Sequence, residues 1–95
     1  MKRVLVVGGG GREHALVRAL LRSPQGPEVF CAPGNAGIAH DQVECLEVDA
    51  EDVDGIVRAA RDRDVGLVVV GLVLVMTWAT RIRALRLHGI AVVLP

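Results

Sequence analysis

Aromatic side chains are nearly absent from this sequence of 95 residues, which contains one Phe, one Trp and no Tyr. The hydrophobic fraction is nevertheless 52%, which excludes intrinsic disorder. The core must therefore be built from Val, Leu, Ile and Ala, as in buried parallel sheets. An excess of charge of one sign is also missing, because 11 basic residues balance 11 acidic ones. A net charge of zero supplies no general attraction to nucleic acid or to a membrane surface.

Cysteines and long apolar runs are equally scarce. Cys31 and Cys45 fit no metal-ligand spacing, and we expect two small buried thiols. The candidate membrane segment, VGLVVVGLVLVM (65–76), is shorter than the ~20 residues needed to span a bilayer. The opening MKRVLVV runs into glycines too early for a signal peptide. We therefore expect one small, soluble, cytoplasmic domain.

Short β-type apolar runs alternate with helical patterns along the chain. The runs predict strands over 3–7, 28–32, 43–48, 67–71 and 90–94. Helical spacing predicts helices over 12–22, from Val53 to Ala60 with Asp49 or Asp52 as cap, and through Trp78, Ile82 and Leu85 to near Gly89. PGNAGIAHDQ (33–42) is predicted to be a long polar loop. This alternation predicts an α/β fold, a Rossmann-like parallel sheet with flanking helices.

Four glycines separate the first predicted strand from the first predicted helix in VLVVGGGGREHAL (4–16). Glycines allow a sharp turn and a close approach of the backbone to a ligand. The amino end of the following helix offers free N–H groups and a partial positive charge. This topology predicts an anion site, although a tight turn without a ligand would show the same glycines.

The dinucleotide fingerprint G-x-G-x-x-G/A fails in this loop. Its third position falls on Glu13 when counted from Gly8, and on His14 when counted from Gly9. The end of the second predicted strand also lacks the acidic residue that would bind a ribose hydroxyl. A P-loop fails as well, since no Gly-Lys-Ser/Thr follows. A nicotinamide cofactor is therefore disfavoured.

The residues that open the first helix carry polar chemistry. Arg12 is suited to pairing a phosphate or carboxylate, Glu13 to accepting from hydroxyls, and His14 to donating to an anion. The alternative is a solvated first turn, which suits Glu13 better than Arg12. We expect His40 and His88 to lie on the surface.

With VLVVGGGGREHAL and the downstream APGNAG (32–37) together, residues 1–71 resemble the amino-terminal domain of glycinamide ribonucleotide synthetases. These ligases, also called phosphoribosylamine–glycine ligases, belong to the ATP-grasp superfamily. DVDGIVRAA (52–60) and VGLVVVG (65–71) fit the same pattern. Two motifs in the right order and at the right separation are far more specific than a lone glycine loop.

The resemblance implies a part in de novo purine synthesis, in which ATP drives the joining of glycine to 5-phosphoribosylamine through a glycyl phosphate. It implies that residues 1–95 form the amino-terminal, pre-ATP-grasp domain, which helps to hold the phosphoribosyl substrate. The substrate would face Gly10, Gly11, Arg12 and Glu13, with Pro33, Gly34 and Asn35 lining the same crevice. ATP and Mg²⁺ would lie mainly on the ATP-grasp part, which we expect to be a necessary partner. We expect no bound cofactor and no ligase turnover on this chain alone.

The resemblance weakens after Gly71. The family usually continues with a Pro-Glu-x-Pro-Leu loop, whereas this chain continues LVLVMTWATRIRALRLHGIAVVLP. A substrate-facing acidic loop is thus missing over 72–88, and three arginines, Arg81, Arg83 and Arg86, appear with no acidic residue after Asp64. Two alternatives therefore stay open, a non-catalytic interaction domain using an exposed apolar patch and a nucleotide-cofactor module.

Overall fold

The computed structural model describes residues 3–71, 82–87 and 89–93, and within them strands alternate with helices. The elements in chain order are β1 (Arg3–Gly8), α1 (Gly11–Leu21), β2 (Glu28–Pro33), α2 (Ala36–His40), β3 (Glu44–Cys45), α3 (Val53–Asp62), β4 (Leu67–Val70), α4 (Ile82–Leu87) and β5 (Ala91–Val93).

The strands form one sheet in the order β3-β2-β1-β4-β5, and every pairing is parallel. Chain order runs outward from β1 in one direction through β2 and β3, and in the other direction through β4 and β5. The strand order therefore reverses at β1, which is the place where open α/β sheets bind their ligands. The predicted Rossmann-like α/β fold is confirmed.

The central strand β1 is buried on both faces, so the core lies on both sides of the sheet. On one face Leu5 and Val7 pack with Ile56 of α3. On the other face Val6 packs with Val17 of α1 and with residues of α2 and β4. Burying an aliphatic side chain of this size contributes roughly 1.5–3 kcal/mol. The continuous apolar run of β1 follows from having helices on both sides.

The structure corrects two predicted elements. The segment predicted to be a polar loop contains the helix α2, which begins after Asn35 because the side chain of Asn35 accepts a hydrogen bond from Ile38 N at 2.9 Å. The strand predicted over 43–48 pairs only at Glu44 and Cys45. The chain leaves the sheet at Leu46, and this edge of the sheet stays short.

The structure also decides between the two proposed caps of α3. Asp52 is the N-cap, and its Oδ1 accepts from Gly55 N at 3.0 Å. Asp49 instead accepts from Glu51 N at 2.8 Å in the preceding turn. Trp78, which was predicted to lie on the last helix, falls outside the described residues; that helix is described as α4.

Of the two cysteines, only Cys31 is fully buried, and Cys45 is partly exposed. His40 is exposed as predicted, whereas His88 lies outside the described residues. Arg83 and Arg86 are exposed on α4, and Arg81 is not described. No helix in the described part of the chain is long and apolar enough to cross a membrane.

Candidate anion site at the carboxyl ends of the strands

The glycine loop connects β1 directly to the amino end of α1. Gly10 is the N-cap, and its carbonyl accepts from His14 N at 3.1 Å, which closes the first helical turn. Helix geometry leaves the amides of Gly11, Arg12 and Glu13 without an intrahelical acceptor. No side chain of the N-cap accepts from them, because the N-cap is a glycine. These amides are the donors that the sequence predicted for an anion.

Glu13 folds back over the glycine loop. Its Oε1 accepts from Gly10 N at 2.9 Å. A Cβ placed on Gly8 would stand 2.5 Å from Oε1, and one placed on Gly71 would stand 3.4 Å from Oε2. The carboxylate therefore lies between the carboxyl ends of β1 and β4. A Cβ on Gly8 would overlap the Glu13 side chain, whereas a Cβ on Gly71 would be in ordinary van der Waals contact with it.

The two motifs that carry the family resemblance are in direct contact. Gly34 N donates to Gly8 O at 3.1 Å, and Asn35 Nδ2 donates to Gly9 O at 2.7 Å. A Cβ on Gly9 would stand 2.7 Å from Gly34 O, so the two backbones approach as closely as glycine permits. The loops after β1 and β2 thus form one continuous edge of the sheet.

The predicted substrate residues of the second motif lie at this edge. Pro33 is exposed and Gly34 is partly exposed. Both polar groups of the Asn35 side chain are engaged within the protein, because Oδ1 caps α2 while Nδ2 binds the glycine loop. Asn35 therefore fixes the two loops relative to each other, and this role was not evident from the motif alone.

A cluster of three charged or polar side chains joins α1 to the end of α2. His14 Nε2 lies 2.7 Å from Asp41 Oδ2, and Arg18 Nε donates to the same oxygen at 3.1 Å. The hydrogen bond from His14 and then that from Arg18 lower the pKa of Asp41. His14 thus faces an internal carboxylate. Sequence patterns gave no signal for Asp41, which falls in the segment predicted to be a loop.

Arg12 is exposed and makes no ion pair with any residue that the structure describes. Together with Glu13, Arg12 borders a cavity of about 180 Å³ at the ends of β1 and β4. The apolar residues that line the cavity are Val6, Leu16, Val69 and Val70. A guanidinium beside free helix amides provides charge and hydrogen-bond donors suited to a phosphate.

The thiol nearest to the loop is a hydrogen-bond donor. Cys31 Sγ donates to Gly8 O at 3.3 Å. Burial raises the pKa of Cys31 to about 12, with smaller contributions from Cys45 and Glu13. A thiol that stays protonated is a poor nucleophile. Among residues 3–71, 82–87 and 89–93, no group of three or more His, Cys, Asp and Glu side chains is placed to hold a metal ion.

Comparison with known proteins places this architecture in a family. Residues 2–94 match the family model described as "Phosphoribosylglycinamide synthetase, N domain". The chain belongs to this family. The match includes the segment from 72 to 88, in which the motif resemblance weakened.

Individual relatives of this chain are named phosphoribosylamine–glycine ligases. A phosphoribosylamine–glycine ligase of Haemophilus influenzae is 41% identical over 91 residues, covering 90% of this chain and 21% of the relative. The ligase of Allochromatium vinosum is 47% identical over 70 residues, which cover 73% of this chain and 16% of the relative. The ligase of Lactococcus lactis is 42% identical over 69 residues, which cover 73% of this chain and 17% of the relative. The chain thus spans about a fifth of the length of the relatives it matches.

Membership in the phosphoribosylglycinamide synthetase N-domain family decides between the hypotheses raised by the sequence. It supports the ligase family and favours neither the interaction domain nor the nucleotide-cofactor module. The failed dinucleotide fingerprint agrees with this result, because the third position holds Glu13, whose side chain lies on the loop.

Proposed function

We propose that this chain holds the phosphoribosyl group of 5-phosphoribosylamine for a phosphoribosylamine–glycine ligase, in cytoplasmic purine synthesis. The observation that carries the proposal is the amino end of α1, where the amides of Gly11, Arg12 and Glu13 have no acceptor among the described residues and the side chain of Arg12 is exposed. The family and the ligase names of the relatives support this choice of substrate.

In this proposal the residues of the chain bind and orient the substrate. The amides at the start of α1 donate to the phosphate, and the Arg12 guanidinium adds a charge-assisted contact. The exposed edge at Pro33 and Gly34 lies beside the loop and would border the ribose. Asn35 supports this arrangement by holding the glycine loop through Gly9 O.

ATP and Mg²⁺ belong, in this proposal, to the ATP-grasp remainder of the ligase, which would be the partner of the present chain. When bound there, they would supply the phosphoryl transfer that activates glycine. The described residues offer no cluster of metal-ligating side chains of their own. In this proposal, the chain positions the phosphoribosyl group relative to that remainder.

Titration of the ¹⁵N-labelled chain with ribose 5-phosphate, followed by NMR, tests the proposal. We expect saturable shifts of the amides from Gly10 to Glu13. Arg12→Ala should weaken binding by at least about tenfold, because a hydrogen bond to a charged group contributes about 1.5–3 kcal/mol. Arg22→Ala is the matched control, since Arg22 is exposed at the other end of α1.

The control variant should bind ribose 5-phosphate as the unmodified chain does. Absence of shifts at Gly10 to Glu13 in the unmodified chain would overturn the proposed site. If the Arg12 and Arg22 substitutions weakened ribose 5-phosphate binding equally, the effect would come from the overall charge and not from a contact of Arg12.

A further inference from the structure

The glycine loop meets one of three requirements for dinucleotide binding. The side chain of Glu13 prevents it from meeting the other two. Dinucleotide-binding loops need a first glycine for the tight turn, a second for backbone approach to the pyrophosphate, and a small third residue for close helix–strand packing. Counted from Gly8, these positions are Gly8, Gly10 and Glu13. Gly8 has φ +135°, so the turn itself is formed.

The second requirement fails because the Gly10 amide is already occupied. Its N–H donates to Glu13 Oε1 at 2.9 Å and so points toward the protein's own carboxylate. The same oxygen would stand 3.3 Å from a Cβ on Gly10 and 2.5 Å from one on Gly8. The carboxylate therefore covers the backbone surface that a pyrophosphate would need to approach.

The third requirement fails because Glu13 is neither small nor neutral. Its other oxygen, Oε2, would stand 3.4 Å from a Cβ on Gly71, so the side chain spans the gap between the ends of β1 and β4. This gap is the point at which the strand order reverses, where doubly wound sheets place a dinucleotide. A carboxylate in that gap repels a diphosphate and fills its space.

We propose that Glu13 is a specificity-determining residue that excludes diphosphates and dinucleotides from this loop and leaves room for one terminal phosphate. The donors without an acceptor among the described residues are the amides of Gly11, Arg12 and Glu13 together with the Arg12 guanidinium, which suits a single phosphate group. This inference rests on the proposed anion site at α1, but it does not depend on which monophosphate occupies that site.

Substitution of Glu13 tests the proposal, because Glu13→Ala creates a complete G-x-G-x-x-A sequence from Gly8 onward. NADH binding, measured by fluorescence enhancement, should be at least tenfold tighter in Glu13→Ala than in the unmodified chain. Glu13→Gln is the matched variant, since its amide oxygen can still accept from Gly10 N and fills the same space. We expect Glu13→Gln to gain less than threefold.

Ribose 5-phosphate titration of the same proteins separates this proposal from the proposed function. The unmodified chain should bind ribose 5-phosphate at least tenfold more tightly than NADH, a comparison that requires no variant to fold. Measurable NADH binding by the unmodified chain with an affinity equal to that for ribose 5-phosphate, or no gain in a folded Glu13→Ala, would overturn the role of Glu13. If Glu13→Gln gained as much NADH affinity as Glu13→Ala, the occupied Gly10 amide would not be the cause of the exclusion.

If no variant shifts with ribose 5-phosphate but Glu13→Ala gains NADH binding, the phosphoribosyl proposal fails while the role of Glu13 stands. If the unmodified chain binds ribose 5-phosphate and Glu13→Ala gains no NADH affinity, the phosphoribosyl proposal stands and the role of Glu13 fails. Thermal unfolding of each variant verifies that it is folded.

Discussion

Two glycines of the first loop, Gly9 and Gly11, differ in what surrounds their Cα atoms. A Cβ on Gly9 would stand 2.7 Å from Gly34 O, which is backbone and cannot move aside as a side chain can. A Cβ on Gly11 would meet nothing within 4 Å among the described residues, although Gly11 is exposed at the first position of α1. Gly9 is therefore required by the contact between the two loops, and Gly11 is not required by packing.

Alanine substitutions at these glycines should consequently have opposite effects on stability. Gly9→Ala should lower the free energy of unfolding by about 1–3 kcal/mol, because the added methyl overpacks a backbone contact. Gly11→Ala should leave it unchanged or raise it by up to about 1 kcal/mol, because alanine favours the helix. Urea unfolding measures both. Equal losses in the two variants would contradict the close approach of Gly9 to Gly34.

At the scale of secondary-structure elements, one end of α2 is joined to the glycine loop and the other end to α1. Asn35, the N-cap of α2, binds Gly9 O at one end, and Asp41, which ends α2, binds His14 and Arg18 of α1 at the other. The short helix α2 is thus fixed against the first loop and the first helix together.

The Asp41 cluster should make stability depend on pH in the acid range. Because the pKa of Asp41 is lowered from its ordinary 3.8 by His14 and Arg18, its contribution is fully present above that value. The contribution is lost as the pH falls through the lowered pKa. Asp41→Asn should therefore reduce the urea midpoint at about pH 6, and the difference from the unmodified chain should shrink toward about pH 2.5.

Glu47→Gln is the control for this experiment, because Glu47 is an exposed carboxylate in the loop after β3. Its urea midpoint should follow that of the unmodified chain at both values of pH. If Asp41→Asn lowered the urea midpoint by the same amount at both values of pH, the charge of the Asp41 carboxylate would contribute nothing to stability.

At the scale of the whole molecule, the sheet exposes the edge at which we propose that the substrate binds, and the chain spans only about a fifth of the length of its relatives. Catalysis by the family is accordingly proposed to need the ATP-grasp remainder. The present chain would supply the loops after β1 and β2, which are already fixed to each other by backbone and side-chain hydrogen bonds.

A chimera tests this division of labour. The 95-residue chain by itself should release no ADP from ATP, glycine and phosphoribosylamine, because the resemblance assigns ATP and Mg²⁺ to the remainder. Replacing the matching segment of the Haemophilus influenzae ligase with this chain should give measurable ADP release. Arg12→Ala in the chimera should raise the KM for phosphoribosylamine, and Arg22→Ala should not. ADP release by the chain alone would contradict the proposal.

Local sequence signals predicted most of the sheet and the start of the site. The apolar runs around Leu5 and Val68 identified β1 and β4, because strands covered on both faces are apolar at consecutive positions. The sequence does contain a signal for α2, since Asn35 precedes Ile38 by the three residues typical of an N-cap. The predicted length of β3 was wrong. Its end is set by where pairing with β2 stops, and local composition does not show that point.

The contacts of the site side chains were not predictable in the same way. Glu13 was expected to accept from hydroxyls, whereas its carboxylate binds Gly10 N and lies beside Gly71. Asp41 had no pattern to mark it, although it is 27 residues from His14 in sequence and 2.7 Å from it in space. Such contacts join elements that meet only when the strands assemble in a particular order.

The sequence by itself therefore determined the periodicity of the strands and helices, the glycine loop between β1 and α1, and the paired motifs that indicate the family. These features depend on neighbouring residues and on spacing along the chain. The tertiary structure decided which groups stay free for an anion and which are used within the protein. Strand order and helix packing bring Gly9 to Asn35, His14 to Asp41 and Glu13 to Gly71, whereas Arg12 forms no ion pair with any residue that the structure describes.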